Sequence, residues 1–397
     1  MRNGPVAAML IAASGLMAQG SMAAAPALLP AAGLQADVRL LERAFESLHP
    51  GLLRYRSAAD TGRAFRALEA EFAQDRTLAE AYLALARFTA GVRCGHTWPS
   101  FYNQRDPVRV ALFDGPTRVP FWFEWLDGRM VVTRDFTPDG VLPAGTEILR
   151  VAGVPAGELL RELLPYARAD GGNDAKRVSQ LAVRGDAEYE AFDVLHPLLH
   201  PVGPQLVLDV RRPNATPTQV RVPPLTAAQR KAVAVRQPRS AAPVFEWRDR
   251  PDGSAYLRMP TWAVYDSKWD WKGWLNARLD ELAARDAPAL VVDLRGNEGG
   301  LDVGDEILKR LIDEPLAPPP RARLVRYRAV ATELRPYLDT WDRSFADWGP
   351  RAVPLERPWP TAPAVEYFAL RDDAEEGEAA ALQPGGRRYR GRVIVLV

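Results

Sequence analysis

The sequence predicts an α+β protein of several domains, with helices in the first part, strands in the middle and an alternating α/β pattern in the last part. Its 397 residues are enough for two or three domains. Apolar residues recur at helical spacing early in the chain, a hairpin signal follows, and strands and helices alternate after residue 244. A composition that is 47% hydrophobic and 25% charged is typical of globular domains.

The charge pattern and the cysteine content exclude several classes of partner and site. The formal net charge is +1, and the chain has no basic tract and no RNA-type aromatic motif, so we expect no nucleic-acid partner. Cys94 is the only cysteine, which excludes an intramolecular disulfide and a Cys-based zinc site. The sequence implies no metal and no organic cofactor, and it leaves the oligomeric state open.

Residues 1–25 predict a cleaved secretory signal peptide. Arg2 supplies the positive start, residues 6–17 form a short apolar run, and Ala23 to Ala25 provide an A-x-A-like cleavage site. The apolar run is too short and too rich in alanine for a good membrane anchor, and no other segment is apolar enough to span a bilayer. We therefore expect a periplasmic or secreted protein without a stable membrane span.

Residues 35–100 predict a small helical subdomain. Apolar residues from Val38 to Leu48 recur every three or four positions, as on the buried face of a helix. Further on, Thr77 and Glu80 have the spacing of a capping box, which marks the beginning of a third helix.

Residues 105–225 predict a β-rich module. Asp127 and Gly128 form a hairpin turn signal between two apolar strands. The other predicted elements of this module are a turn, a strand and a tight turn within 143–155, a helix over 159–166 and a strand over 205–210. The Pro-rich, polar stretch 211–243 is interpreted as a linker or an excursion between modules.

Residues 244–397 predict an α/β domain with crossover connections. The predicted elements are a strand over 255–259, a helix over 271–284, a strand that ends near 293, a helix over 302–312 and a last apolar strand over 392–397. Residues 313–390 are rich in proline and charge, and their pattern assigns no elements.

The most informative segment of the α/β domain covers residues 289–300, with the sequence ALVVDLRGNEGG. It predicts a buried strand that runs into a glycine-rich turn. Such a turn exposes backbone N–H groups, which stabilise either a bound phosphate or a transient oxyanion. The spacing of Gly296, Gly299 and Gly300 fits neither the dinucleotide nor the Walker pattern. From these residues alone, a phosphate loop, a purely structural turn and an oxyanion hole remain as alternatives.

Residues 293–300, DLRGNEGG, resemble the D-L-R-x-N-x-G-G signature of the C-terminal-processing (tail-specific) serine peptidase family, which includes the tricorn core. Three weaker similarities occur in the family's order: LHP at 48–50, AGVRCGHT at 90–97 and GTEILRVAGVP at 145–155. The resemblance thus covers about residues 35–397. It implies a helical cap over 35–100, a PDZ-like module over 105–225, and a ClpP/crotonase-like peptidase domain over 244–397.

The same resemblance assigns roles to residues of the glycine turn. It implies that the backbone N–H groups of Gly299 and Gly300 form the oxyanion hole for a tetrahedral intermediate. Asp293 and Arg295 are expected to hold the strand end and the turn by ion pairing, and Asn297 to orient the loop. The substrate of such an enzyme is a peptide or a protein.

His96 is the histidine that the resemblance singles out, because tricorn-like members have their general base at this place. The alternative is a structural histidine at a helix end. Gly95 stands where the tricorn core has a serine, and another branch of the family uses a lysine from later in the chain. A thiol pair of Cys94 with His96 has poor geometry, since the two lie two positions apart on one segment.

The family's nucleophilic serine follows the strand that here covers residues 392–397, so we expect the domain to be truncated before it and the given chain to be inactive alone. Two other functions remain open from the sequence. One is a non-catalytic exported peptide-binding protein. The other is a crotonase-like acyl-CoA enzyme, because that fold uses a similar glycine turn.

Overall fold

The computed structural model describes residues 27–397 apart from 186, 237–243, 266, 318–322, 341, 357, 360–361 and 372–380. The predicted signal peptide, residues 1–25, lies outside these residues. Within the described part of the chain, no helix is both long enough and apolar enough to cross a bilayer.

The N-terminal part is helical, as the apolar spacing predicts. Its elements are β1 Leu28–Leu29, α1 Ala31–Leu48, α2 Ala58–Glu71, β2 Arg76–Thr77, α3 Leu78–Ala90 and α4 Asp106–Leu112. The capping box is present, because Glu80 N–H donates to Thr77 Oγ1 and Thr77 N–H donates to the Glu80 carboxylate. Phe65, Phe72 and Phe88 are buried between the first three helices.

The middle part is built on an antiparallel sheet with the strand order β3-β4-β5-β7-β8, and β6 pairs with β5. Its elements are β3 Phe121–Leu126, β4 Arg129–Asp135, β5 Glu147–Val151, β6 Val154–Pro155, α5 Ala156–Leu163, α6 Asp174–Gln180, α7 Ala191–Leu199, β7 Leu206–Arg211, β8 Thr218–Val222 and α8 Ala227–Arg236. The predicted hairpin turn is present between β3 and β4. Asp127 and Gly128 both have positive φ, at 51° and 76°, as a type I′ turn requires.

The interpretation of residues 211–243 as a linker is wrong for a large part of that stretch. Residues 218–222 form β8, which pairs antiparallel with β7, and residues 227–236 form α8. Residues 237–243 lie outside the described part. The strand pattern is weak because β8 is a mostly exposed edge strand, so only Val220 and Val222 mark its inner face.

The C-terminal part contains a mixed sheet with the order β15-β11-β10-β9, in which β15, β11 and β10 run parallel. Its elements are β9 Glu246–Asp249, β10 Ala255–Arg258, α9 Trp271–Ala284, β11 Ala289–Asp293, α10 Asp305–Leu308, β12 Arg323–Val325, β13 Ala352–Pro354, β14 Phe368–Leu370 and β15 Arg392–Leu396. Strands β12, β14 and β13 form a small antiparallel sheet within the stretch that the sequence leaves unassigned. In the part of the chain that the structure describes, 3-10 turns cover Leu164–Tyr166, Arg335–Tyr337, Arg343–Ala346 and Gly349–Arg351.

The helix predicted over residues 302–312 is much shorter in the structure, where α10 covers four residues. Turns flank it, with i→i+3 backbone bonds such as Glu306 N–H to Val303 O and Leu311 N–H to Leu308 O. Apolar spacing does not separate an α-helix from such a run of tight turns. Because a helix of four residues has only a small dipole, α10 gives the glycine turn little electrostatic support.

A buried histidine in the middle part makes stability depend on pH. His196 is 2% exposed on α7 and stacks on Phe192, with ring centroids 5.1 Å apart. Burial, followed by the neighbouring His200, lowers the pKa of His196 to about 4. In the unfolded chain His196 binds a proton near pH 6.5, whereas in the folded chain it stays neutral down to about pH 4. The free energy of unfolding therefore falls as the pH falls from about 6.5 toward 4.

We expect His196→Phe to remove this pH dependence. Between pH 7 and pH 5, the free energy of unfolding of the parent protein should fall by up to about 1.4 kcal/mol per pH unit relative to the variant. Urea unfolding at several pH values measures the difference. His200→Gln is the control, because His200 is partly exposed and pairs with Glu162. Equal pH slopes in the parent and in His196→Phe would contradict the assignment.

Candidate active site

The glycine turn lies at the carboxyl end of β11, between the ends of β10 and β15. Because these strands are parallel, their carboxyl ends meet at the same edge of the sheet. Gly296, Gly299 and Gly300 have φ values of 81°, 98° and 143°, which side-chain-bearing residues rarely adopt. At Gly300 a Cβ would also overlap the backbone of Trp262 and Ala263. The turn therefore needs glycine for its backbone path.

Asp293 and Arg295 hold the end of β11 and the first part of the turn. The Asp293 carboxylate accepts bonds from the Arg295 backbone N–H at 3.0 Å, from Nε at 2.9 Å and from Nη2 at 2.7 Å. It also accepts a bond from the hydroxyl of Tyr256, a partner that sequence reasoning missed. The hydrogen bonds from Arg295 are the main cause that holds the pKa of Asp293 well below its usual range, so the carboxylate stays charged.

Asn297 connects the turn to the end of β10. Its Nδ2 donates to the carbonyl of Met259 at 2.9 Å, and its Oδ1 accepts the N–H of Gly299 at 2.7 Å. The Gly299 N–H is therefore occupied in this conformation. Gly300 is exposed, and its N–H donates to no other residue that the structure describes. Of the two N–H groups that the sequence predicts as oxyanion donors, the one on Gly300 is available.

His96 lies on the turn that follows α3, and it is exposed. The preceding Gly95 fixes this turn, because its N–H donates to Asp170 Oδ1 at 2.8 Å and its carbonyl accepts from Arg168. A Cβ at position 95 would lie 2.9 Å from Oδ2 of Asp170, so the backbone of Gly95 packs closely against this carboxylate. The imidazole of His96 makes no hydrogen bond within the described part of the chain.

Glu298 brings the turn and the His96 region into electrostatic contact. Burial alone would raise its pKa, but the hydrogen bond from Lys176, followed by the charges of Lys176, Arg168 and His96, lowers it. The Nζ of Lys176, on α6, lies 2.5 Å from Glu298 Oε1. This ion pair connects the glycine turn to the β-rich module. Sequence analysis does not predict it, because the two residues are 122 positions apart.

His49, rather than His96, is the histidine side chain that most affects the thiol of Cys94. The N–H of Gly51 donates to His49 Nδ1 at 3.1 Å, so the proton of the neutral ring lies on Nε2, which is 2.7 Å from Thr97 Oγ1. The hydrogen bond from His49 is the largest cause that lowers the pKa of the Cys94 thiol to about 7. Sequence reasoning missed this pair because His49 ends α1 next to a proline.

The Cys94–His49 pair predicts a reactive thiol. We expect the rate of alkylation by iodoacetamide to rise with a midpoint near pH 7, instead of near 9 for an ordinary thiol. His49→Gln should move this midpoint upward, because it removes the imidazole that contributes most to lowering the pKa of the thiol. His200→Gln is the matched control and should leave it unchanged. A midpoint that is the same in His49→Gln and in the parent would show that His49 does not activate the thiol.

The comparisons with known proteins place the C-terminal part of the chain among peptidases. Residues 253–397 match the family model "Peptidase family S41". This match confirms the predicted resemblance to the C-terminal-processing peptidases. No curated protein matches the chain.

Solved structures resemble parts of the fold. Mature CPAF in complex with lactacystin has 18% sequence identity and a TM-score of 0.47, and the match covers 77% of this chain and 63% of that one. The photosystem II D1 C-terminal processing protease has 14% identity and a TM-score of 0.30, with 73% and 67% covered. A putative S41 protease from Bacteroides fragilis has 14% identity and a TM-score of 0.21, with 56% of each chain covered. This chain thus spans less than two thirds of the length of mature CPAF.

Proposed function

We propose that this chain belongs to a serine endopeptidase that hydrolyses peptide bonds in peptides or proteins. One observation carries the proposal: a domain that matches the model of peptidase family S41 presents the DLRGNEGG turn with an exposed, unoccupied N–H at Gly300. A preorganised backbone N–H of this kind is what acyl transfer needs, because negative charge develops on the carbonyl oxygen in the transition state. Asp293, Arg295 and Asn297 keep the turn in place before the substrate arrives.

The oxyanion would bind to the N–H of Gly300 first and to that of Gly299 second. The side chain of Asn297 competes for the Gly299 N–H, since its Oδ1 accepts that bond at 2.7 Å. A charged oxyanion is a stronger acceptor than a neutral amide oxygen, so it displaces Asn297 during the reaction. Each donor of this type contributes about a hundredfold or more to the rate.

His96 is the proposed general base, with a lysine from another part of the protein as the alternative. Its imidazole is exposed and free of hydrogen bonds within the described residues, so it is available to a substrate or a nucleophile. The anionic Glu298 lies within electrostatic reach and would stabilise the imidazolium that forms when His96 takes a proton.

We propose further that the nucleophilic serine is none of those in the described part of the chain. Ser179 is the described serine that lines the cavity beside the turn, and its Oγ accepts a bond from Arg184. No serine among the described residues hydrogen-bonds to the side chain of a histidine or a lysine, either of which could serve as the base that activates a nucleophile. We therefore expect the 397-residue chain alone to hydrolyse no peptide.

Labelling with a fluorophosphonate probe tests both statements. The protein from its native source should be labelled at one serine and should hydrolyse a mixed peptide library until the probe is added. The 397-residue chain should show neither reaction. Labelling of Ser179 would contradict our placement of the nucleophile. An unlabelled and inactive protein from the native source would contradict the peptidase function and favour a peptide-binding role.

The remaining parts of the proposal concern the β-rich module and the cellular compartment. We propose that residues 105–225 are a PDZ-like module that binds an extended peptide segment by strand addition. We also propose that residues 1–25 are removed on export to the periplasm or the medium. N-terminal sequencing of the native protein should give a residue close to position 26, whereas an intact Met1 would contradict export by this route.

A further inference from the structure

A cavity of about 370 Å³ opens beside the glycine turn. Its lining comes from the helical part, from the β-rich module and from the turn itself, to which Gly296 and Glu298 belong. Ligand pockets usually have volumes of roughly 300–1,000 Å³, so this cavity lies at the lower end of the range. It has room for one large side chain rather than for a larger ligand.

Six aromatic residues contribute to the lining of the cavity. They are Tyr82, Trp98, Phe101, Tyr102, Tyr166 and Tyr189. Several of these rings already meet edge to face: Trp98 and Phe101 at 4.9 Å between centroids, and Tyr102 and Tyr189 at 5.5 Å. A further aromatic ring in the cavity could contact the faces and edges of these rings. Its binding would be stabilised by the apolar area that it buries and by edge-to-face packing.

The cations around the cavity are engaged in contacts of their own. Arg184 donates to both carboxylate oxygens of Glu124, at 2.6 and 2.7 Å. Lys176 is paired with Glu298, and the guanidinium of Arg168 lies 4.4 Å from the centre of the Trp98 ring. A free carboxylate entering the cavity would have to displace one of these contacts, whereas a neutral aromatic side chain would not.

The position of the cavity relates it to the proposed chemistry. Gly296 and Glu298 line it, and Glu298 is followed directly by Gly299 and Gly300. The proposed oxyanion donors are thus the two residues that directly follow a residue of the cavity wall. Lys176 and Glu298 close this side and keep the turn against the β-rich module.

We propose that this cavity is a specificity pocket for the aromatic side chain of an internal substrate residue, with Trp98, Tyr102 and Tyr189 as its recognition residues. The inference rests on the proposed peptidase function, because it identifies the occupant of the cavity as part of a peptide substrate. It implies that the enzyme selects peptides by an aromatic residue and gains nothing from a terminal carboxylate in this pocket.

Equilibrium binding of small probes to the 397-residue chain tests the pocket without requiring hydrolysis. N-acetyl-phenylalanine amide should bind about tenfold or more tightly than N-acetyl-alanine amide, because only the former buries a ring. N-acetyl-phenylalanine with a free carboxylate should bind no more tightly than the amide. Chemical-shift titration measures all three affinities.

Matched variants locate the binding. Tyr102→Ala should weaken binding of the phenylalanine amide severalfold, and it should fold normally because Tyr102 is 47% exposed. Trp98→Ala should weaken it more. Tyr337→Ala is the control, since Tyr337 is 68% exposed and does not line the cavity. If Trp98→Ala fails to fold, Tyr102→Ala still decides the outcome.

Each contrary result overturns a defined part of the inference. Equal affinity for the alanine and phenylalanine amides would exclude aromatic selection, and an unchanged affinity in Tyr102→Ala would exclude this cavity as the place of binding. Tenfold tighter binding of the free acid would exclude an internal residue. Aromatic binding by the 397-residue chain, combined with no fluorophosphonate labelling of the protein from its native source, would support the pocket while contradicting the peptidase function.

Discussion

Replacing Arg230 by methionine should lower the free energy of unfolding by about 3–5 kcal/mol, because it leaves two carboxylates buried without their common cation. Arg230 is 5% exposed on α8, and its Nη2 lies 2.9 Å from Glu190 Oε2 and 2.5 Å from Asp193 Oδ2. Burial, followed by the charge of Asp193, raises the pKa of Glu190 to about 7 even with Arg230 in place. Methionine has a similar length but cannot compensate either charge.

The effect of Arg230→Met should depend on pH in a defined direction. At pH 8 the carboxylates are charged and the loss is full, whereas near pH 5 Glu190 takes up a proton and the loss becomes smaller. Urea unfolding at both pH values measures this. Lys231→Met is the control, because Lys231 is exposed on the same helix and should change stability by less than about 0.5 kcal/mol. A loss below about 1 kcal/mol at pH 8 would show that Arg230 does not neutralise the pair.

The same ion cluster shows why the sequence does not predict α8 as part of the middle domain. Arg230 reaches Glu190 across 40 residues, and its Nη1 donates to the carbonyl of Val119 across 111 residues. Charged residues in a polar stretch usually indicate a solvated surface, so nothing in residues 211–243 marks one arginine as buried. The helix is held by contacts that are distant in sequence, and a local pattern contains no information about them.

Elements with a strong local pattern were predicted well. Helices α1 to α3 have a clear apolar period, and the hairpin between β3 and β4 has a turn that requires positive φ at Asp127 and Gly128. The helix over 302–312 failed because apolar spacing near Val303 and Ile307 suits tight turns as well as an α-helix. The mixed helix-and-sheet class and the peptidase resemblance were predictable, whereas the small sheet of β12, β13 and β14 was not.

The candidate site was predictable only where one segment contains it. The glycine turn lies within eight consecutive residues, and the sequence indicates its strand, its glycines and its chemistry. The roles of Gly299, Gly300 and His96 stay predictions until activity is measured. The Asn297 bond to Gly299, the pairing of Cys94 with His49 and the aromatic cavity depend on rotamers and on contacts between domains, which no spacing in the sequence specifies.

Replacing Gly300 by alanine should destabilise the protein by about 3–5 kcal/mol, because two costs add at this position. A φ of 143° is unfavourable for any residue with a Cβ, and the Cβ would overlap the carbonyl group of Trp262. That carbonyl accepts the N–H of Leu301 at 2.9 Å, so it cannot move away without breaking the bond that holds the turn. We expect the segment around Trp262 and the glycine turn to separate locally.

Gly299→Ala is the matched control for Gly300→Ala, because the two glycines are adjacent and differ in their surroundings. Gly299 also has a positive φ, of 98°, but a Cβ there would have no neighbouring atom within 4 Å. We expect Gly299→Ala to cost only the backbone strain, about 1–3 kcal/mol. Urea unfolding of both variants separates strain from overlap. Equal losses in the two variants would show that the close approach of Trp262 to Gly300 does not constrain the turn.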